Sequence, residues 1–189
     1  GTDPAAEMGP VITRSSLQRI EKWIADAEEA GARVVLDGRG YRPAGEEYAD
    51  GFWLGPTILD NVDRGLQVYR EEVFGPVLVV VRADTYEEAI EIVNSSEFGN
   101  GSAIFTSDGD TARHFAVDVE AGMVGVNVPI PVPVAYYSFG GWKESLLGDT
   151  HIHGPEGVRF YTRAKVVTTR WPKRGEKVGY VGMNFPTNG

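Results

Sequence analysis

Glu71-Glu72-Val73-Phe74-Gly75-Pro76 is the stretch with the most chemical content. Gly75-Pro76 fixes a bend and so aims the side chains before it in a set direction. A carboxylate at Glu72 can there accept two hydroxyl hydrogen bonds from a ribose, and Phe74 can pack against a flat ring. Taken as an anonymous acidic pair, the same residues read first as a solvated loop, because glutamate mostly faces water. A thiol is missing from the inventory: the chain has no cysteine. That excludes disulfides, thiolate metal sites and a thiol nucleophile within these residues.

Three further groups invite a chemical reading. Ser138-Phe139-Gly140-Gly141-Trp142 joins two aromatics to a flexible bend, which either lines a pocket or fills a core with its rings. Asn127 interrupts an apolar strand; its amide orients a nearby loop or satisfies adjacent backbone groups. His151 and His153, two apart, would point to one side of a strand, but a metal needs a third or fourth ligand and no set lies nearby. No metal site is expected. No Gly-x-Gly-x-x-Gly or P-loop pattern follows a strand, so no phosphate cradle is legible. A Gly-x-Ser-x-Gly elbow is also missing.

These groups need elements to position them. Ser15 and Gln18 suggest a capping box for a helix carrying Leu17, Ile20, Ile24 and Ala27, with Gly31 as its stop. Arg33 to Leu36 reads as a strand, residues 39–51 as a polar loop, and Leu54 to Leu59 as holding a short extended piece. Val77 to Arg82 is a continuous apolar run, as in a strand buried on both faces. Thr85 and Glu88 cap a helix with Ala89, Ile90 and Val93 that ends near Gly99. A strand at Ala103 to Phe105, a helix from Asp108 to Ala121 and a strand at Val124 to Val128 follow. Strand-helix-strand-helix-strand at these lengths predicts an α/β layered domain with a mostly parallel sheet. Pro129, Pro131 and Pro133 then stiffen an extended loop at a strand's carboxyl end, where open α/β sheets place ligands. Lys165 to Arg170 reads as a β-rich terminal strand, and the Gly-, Lys- and Asn-rich tail from Pro172 as mobile.

The chain's 189 residues suffice for one domain with a real core, and its 42% hydrophobic and 24% charged content are those of a globular protein. A net charge of −9 argues against a nucleic-acid partner. No apolar run reaches the length of a membrane span, and no signal peptide is visible.

Taken in order, Glu7-Met8-Gly9-Pro10, Gly55-Pro56-Thr57, Glu71–Pro76, Ala103-Ile104-Phe105-Thr106, Gly125-Val126-Asn127 and Phe139-Gly140-Gly141 resemble the C-terminal half of the aldehyde dehydrogenase superfamily. Gly99-Asn100-Gly101, Asn127-Val128-Pro129-Ile130-Pro131-Val132-Pro133, Gly148-Asp149-Thr150, Phe160-Tyr161-Thr162 and the Trp171 ending are similar to its CoA-acylating, methylmalonate-semialdehyde branch. The proline run is the most specific of these.

The resemblance implies that residues 1–163 are part of the catalytic domain, 164–171 an oligomerisation strand and 172–189 a tail. It implies a thiolate that attacks an aldehyde, hydride transfer to NAD, and CoA as acceptor of the acyl group. Methylmalonate semialdehyde would give propionyl-CoA and CO₂, and malonate semialdehyde would give acetyl-CoA. Carried onto this chain, Glu72 would bind the nicotinamide ribose, Phe74 would pack by the nicotinamide end and Phe139 would lie along the aldehyde tunnel. The Lys165–Arg170 strand would join subunits of a homodimer or homotetramer. In the family the cysteine and the dinucleotide-binding domain lie upstream of the point matching Gly1. The chain is therefore expected to be an inactive later part of such an enzyme, cytoplasmic if bacterial. A water-using aldehyde dehydrogenase and a noncatalytic interaction module are the alternatives.

Overall fold

The structure is a computed structural model that describes residues 4–171 and 173–175. The chain divides into two units, Gly1–Val93 and Asn94–Gly189. The expected body 1–163 therefore spans both.

The first unit is built on helix α1, Arg14–Glu29. Its N-cap is Thr13, whose Oγ1 accepts from the Ser16 N–H at 3.0 Å. The expected Ser15–Gln18 box is thus corrected. A cap must sit in extended backbone before the first turn, and Thr13 does so, whereas Ser15 already lies inside the helix. At the other end Gly31 takes φ +98°, Ala32 N–H donates to Ala27 at 2.9 Å, and Gly31 N–H donates to Glu28 at 3.0 Å. This is a Schellman stop, as the glycine suggested. Leu17, Ile20, Ile24 and Ala27 are all buried, at the predicted spacing. They meet Leu54, Leu59, Val62 and Val68 in one core.

Strands β1 (Arg33–Leu36), β2 (Thr57–Asp60) and β3 (Val77–Val80) form a sheet in that order. β1 runs antiparallel to β2, and β2 runs parallel to β3 with Thr57 opposite Val77. The short extended piece read from Leu54–Leu59 is in fact the sheet's most buried strand. β3 departs from expectation: it ends at Val80, and Leu78 is exposed. A strand is buried on both faces only where both are covered, and the face that carries Leu78 is open. The polar loop holds a short 3₁₀ turn at Glu46–Tyr48, and α2 (Gln67–Arg70) leads into the Glu71–Pro76 run. α3, Tyr86–Asn94, starts where Thr85 Oγ1 accepts from Glu88 N–H at 3.1 Å, and it stops five residues before Gly99.

In the second unit β5 (Gly101–Ile104) pairs in parallel with β6 (Met123–Val126), with α4 (Gly109–Asp118) between them. This is the predicted strand-helix-strand unit, shifted by about two residues at its strands. Within the first unit β3 pairs in parallel with β2. A small antiparallel pair, β4 (Phe98–Gly99) with β7 (Trp142–Lys143), and helix α5 (Gly154–Tyr161) carried no sequence signal that was read. Lys165–Arg170 forms no strand: its residues run exposed, with Val166 at 92%. A strand exists only with a ladder partner, and the described residues provide none there. Most of the tail called mobile, Pro172 and 176–189, lies outside the described residues. No helix among the described residues is long and apolar enough to cross a membrane.

Candidate functional site

Glu72 and Phe74 share one loop between α2 and β3, and the loop is held at both ends. Glu71 N–H closes α2 on the Gln67 carbonyl at 2.9 Å. Past the bend, Val77 N–H donates to Gly75 at 2.8 Å, and Thr57 N–H donates to the Pro76 carbonyl at 2.8 Å. Between these points Val73 packs against the core, and its carbonyl accepts from Arg19 Nη2 at 3.0 Å. Gly75 lies so close to α1 that a Cβ there would stand 2.6 Å from Ile20 Cδ1. Phe74 is left outside, 73% exposed and at φ +50°, a region that residues with a Cβ seldom adopt. Glu72 is exposed beside it. The result is a fixed loop presenting a carboxylate and an aromatic ring to the outside.

Thr57 explains the Gly55-Pro56-Thr57 run. It is 1% exposed, its Oγ1 accepts from Gly38 N–H at 3.0 Å, and its own N–H holds Pro76. One buried hydroxyl and its amide thus join the loop after β1 to the loop that carries Glu72 and Phe74. At the carboxyl end of the same strand, Asp60 accepts from Arg82 through both oxygens, at 3.0 and 2.8 Å, and from Arg33 at 2.7 Å. These hydrogen bonds, Arg82's first, hold its carboxyl down at about 2. It is a structural clamp across the three strands, since β1 supplies Arg33 and the chain just past β3 supplies Arg82.

Phe139 belongs to the second unit, so it is described apart from the Glu72 loop. Its ring meets His153 edge-on, centroids 4.4 Å apart. The next residue, Gly140, lies against His151, where a Cβ would come within 2.8 Å of Cδ2. The two histidines therefore brace the Phe139-Gly140-Gly141 bend. Among the described residues no group of three or more His, Cys, Asp or Glu gathers at a common point.

Asn127 settles the alternative left open by its sequence. It sits at φ +56°; its Oδ1 accepts from Thr106 N–H at 2.9 Å, and its Nδ2 donates to the Thr106 carbonyl at 3.0 Å. The side-chain amide imitates a peptide and continues the β5–β6 ladder by one more step. The chain then turns into the proline run, and Pro131 folds back over Gly125, where its Cβ would stand 3.2 Å from a Cβ on that glycine.

Arg19, Thr57 and Lys143 were missed in the sequence. Lys143 Nζ donates to the Asn94 carbonyl at 2.7 Å and pairs with Glu120 at 2.8 Å, tying β7 down. Arg19 had a legible signal in its i,i+4 spacing to Trp23, over whose ring it lies at 4.4 Å. Thr57 and Lys143 act on backbone groups distant in sequence, which spacing does not reveal.

An α/β chain with parallel strand pairs and a fixed acid-aromatic loop before an edge strand is one of a recognisable class. The profile of the aldehyde dehydrogenase family matches residues 1–167, and the chain belongs to that family. It is 53% identical over 174 residues to malonate-semialdehyde dehydrogenase of Pseudomonas aeruginosa, covering 92% of this chain and 35% of that protein. The mitochondrial, acylating methylmalonate-semialdehyde/malonate-semialdehyde dehydrogenase of Bos taurus is 44% identical over 189 residues, again 35% of its length. Among solved structures, methylmalonate-semialdehyde dehydrogenase of Oceanimonas doudoroffii superposes with a TM-score of 0.87 at 49% identity, over 92% of this chain and 35% of that one. The corresponding Sinorhizobium meliloti protein, solved with NAD, gives 0.86 at 50% identity, with the same coverage. The chain thus spans about a third of the length of the relatives it matches.

Proposed function

We propose that this chain is the later part of an NAD-dependent, CoA-acylating aldehyde dehydrogenase acting on methylmalonate or malonate semialdehyde. The observation that carries the reading is the clamped Glu71–Pro76 loop, in a chain whose likeness is to methylmalonate- and malonate-semialdehyde dehydrogenases. The exposed Glu72 carboxylate suits two ribose hydroxyls, and the exposed Phe74 ring suits the flat nicotinamide end. Both fit NAD because the loop reaches out from a buried anchor and needs no rearrangement to present them.

NAD, when bound, supplies the acceptor for the aldehyde hydrogen. Glu72 fixes the ribose by accepting its hydroxyl protons in hydrogen bonds, and Phe74 limits the tilt of the adjacent ring. Phe139, held edge-on by His153, lines the aldehyde path. The nucleophilic thiol comes from outside these residues, because the chain has no cysteine. CoA takes the acyl group in place of water, releasing propionyl-CoA or acetyl-CoA with loss of CO₂. Residues 165–170, exposed and β-prone, pair with a second subunit in a homodimer or homotetramer. In a bacterial cell the enzyme is cytoplasmic.

The test is an assay of the longer protein to which the chain belongs, with methylmalonate semialdehyde, NAD and either CoA or none. CoA-dependent NADH formation with propionyl-CoA as product supports the reading. Equal turnover to the free acid without CoA would instead make it a water-using aldehyde dehydrogenase. The 189-residue chain alone is expected to form no NADH from any aldehyde, and measurable formation would overturn the assignment of the thiol to other residues.

A further inference from the structure

Arg19 makes two contacts that nothing in the site's own loop can supply. Its Nη2 donates to the Val73 carbonyl at 3.0 Å across 54 positions of sequence. Its guanidinium lies over the Trp23 ring, 4.4 Å from the centroid, and Trp23 packs against the core. The guanidinium is held between a core aromatic and the middle of the Glu72–Phe74 loop. Among the described residues, this is the hydrogen bond that ties residues 72–74 to the body of the unit. The loop needs such a tie, because Phe74 holds φ +50° while its ring is largely in solvent. Packing of the ring therefore cannot pin that backbone.

We propose that Arg19 is the positioning residue that holds the Glu72–Phe74 loop in its nucleotide-presenting conformation, a role that rests on the reading of those two residues as NAD contacts. A charged donor makes the stronger kind of hydrogen bond to a carbonyl. A planar guanidinium can stack on Trp23 and donate in its own plane at once. A lysine ammonium can donate but cannot stack in this way. Gly75 completes the seat, because a Cβ there would press on Ile20 Cδ1 at 2.6 Å.

The test uses backbone ¹⁵N relaxation on the whole 189-residue chain, wild type against Arg19→Met and Arg19→Lys. Methionine keeps a long apolar stem over Trp23 and removes the donor. In the wild type the amides of Glu72 to Gly75 are expected to show order parameters near about 0.85, and in Arg19→Met to fall below about 0.6. The amides of α1 and β2 should not change, and Arg19→Lys should restore part of the order. An unchanged loop in Arg19→Met, or a loss spread evenly over the first unit, overturns the proposal in favour of a bystander or a merely stabilising residue. NAD affinity is then measured by calorimetry on the longer protein to which the chain belongs, wild type against Arg19→Met. Affinity in Arg19→Met is expected to weaken about tenfold, the effect of one lost charged hydrogen bond. If the loop loosens but the longer protein binds NAD equally in wild type and Arg19→Met, the cofactor reading of the loop falls while the hold of Arg19 on it stands.

Discussion

The two units of this chain treat their apolar residues differently. In Gly1–Val93 they converge: Ile20, Ile24, Leu54 and Leu59 are fully buried within one continuous core. In the second unit the buried apolar side chains among the described residues are Phe115, Val119, Ala121 and Met123, while Val128, Ile130, Val132, Val134, Tyr136 and Tyr137 stand exposed in succession. The first unit closes its own core. The second is organised by hydrogen bonds and close backbone passages, such as the Asn127 amide on Thr106 and the Gly140 seat beside His151. A run of exposed apolar residues of this size is the mark of a surface meant to be covered. It fits a chain that spans about a third of its relatives' length.

The contrast can be broken most severely from the first unit. Ile24→Ala removes three side-chain carbons at a fully buried site. It is expected to cost about 2–5 kcal/mol. Hydrogen exchange read by peptide should show the loss across residues 14–36 and 54–60 and not across 101–126; equal loss in both would erase the distinction. Thr57→Val keeps the volume but leaves the Gly38 N–H without its acceptor. A cost of about 1–3 kcal/mol in chemical denaturation is expected. A near-neutral result would mean that water replaces the hydroxyl. Asn127→Ala sharpens the comparison from the other side, since it removes both bonds to Thr106 in an exposed setting. About 1 kcal/mol is expected, seen as faster exchange confined to 104–128.

The smallest effect is electrostatic. Asp60 titrates at about 2 in the folded chain, below its ordinary 3.8. Its stabilisation is therefore complete above the unfolded value and is lost as pH falls through about 2. Both arginine partners are mostly exposed, so water screens much of the gain. Thermal midpoints measured from pH 5 to pH 2 should fall less steeply in Asp60→Asn than in the wild type. Asp37, held low chiefly by Arg39, and Asp108, held low chiefly by the Thr111 backbone N–H, retain the remaining slope. Identical slopes would remove Asp60 from the acid response.

Much of this was legible beforehand where the cause was local. The core face of α1 follows from apolar spacing, and its stop follows from Gly31, because helical geometry and a left-handed cap are properties of neighbouring residues. The cap itself was misplaced by two residues, since Thr13 and Ser15 offer the same hydroxyl and differ only in backbone conformation. The Glu72–Phe74 loop was marked by Gly75-Pro76 and by family resemblance. Its clamp was not, because Arg19 and Thr57 act through atoms that only the fold brings near.

The sequence by itself determined the core face and stop of α1, the strand-helix-strand unit of β5, α4 and β6, the α/β class, the family and the absence of a thiol, each of which depends on residue types and short spacings. Tertiary structure alone decided that β2 is the centre of the first unit's sheet, that β4 pairs with β7, and that Asn127 completes a ladder. It also left residues 165–170 without a strand in this chain. Strand neighbours, like buried donors and acceptors, are matched across long stretches of chain, and that matching is settled by packing and by the need to satisfy backbone groups rather than by any local pattern.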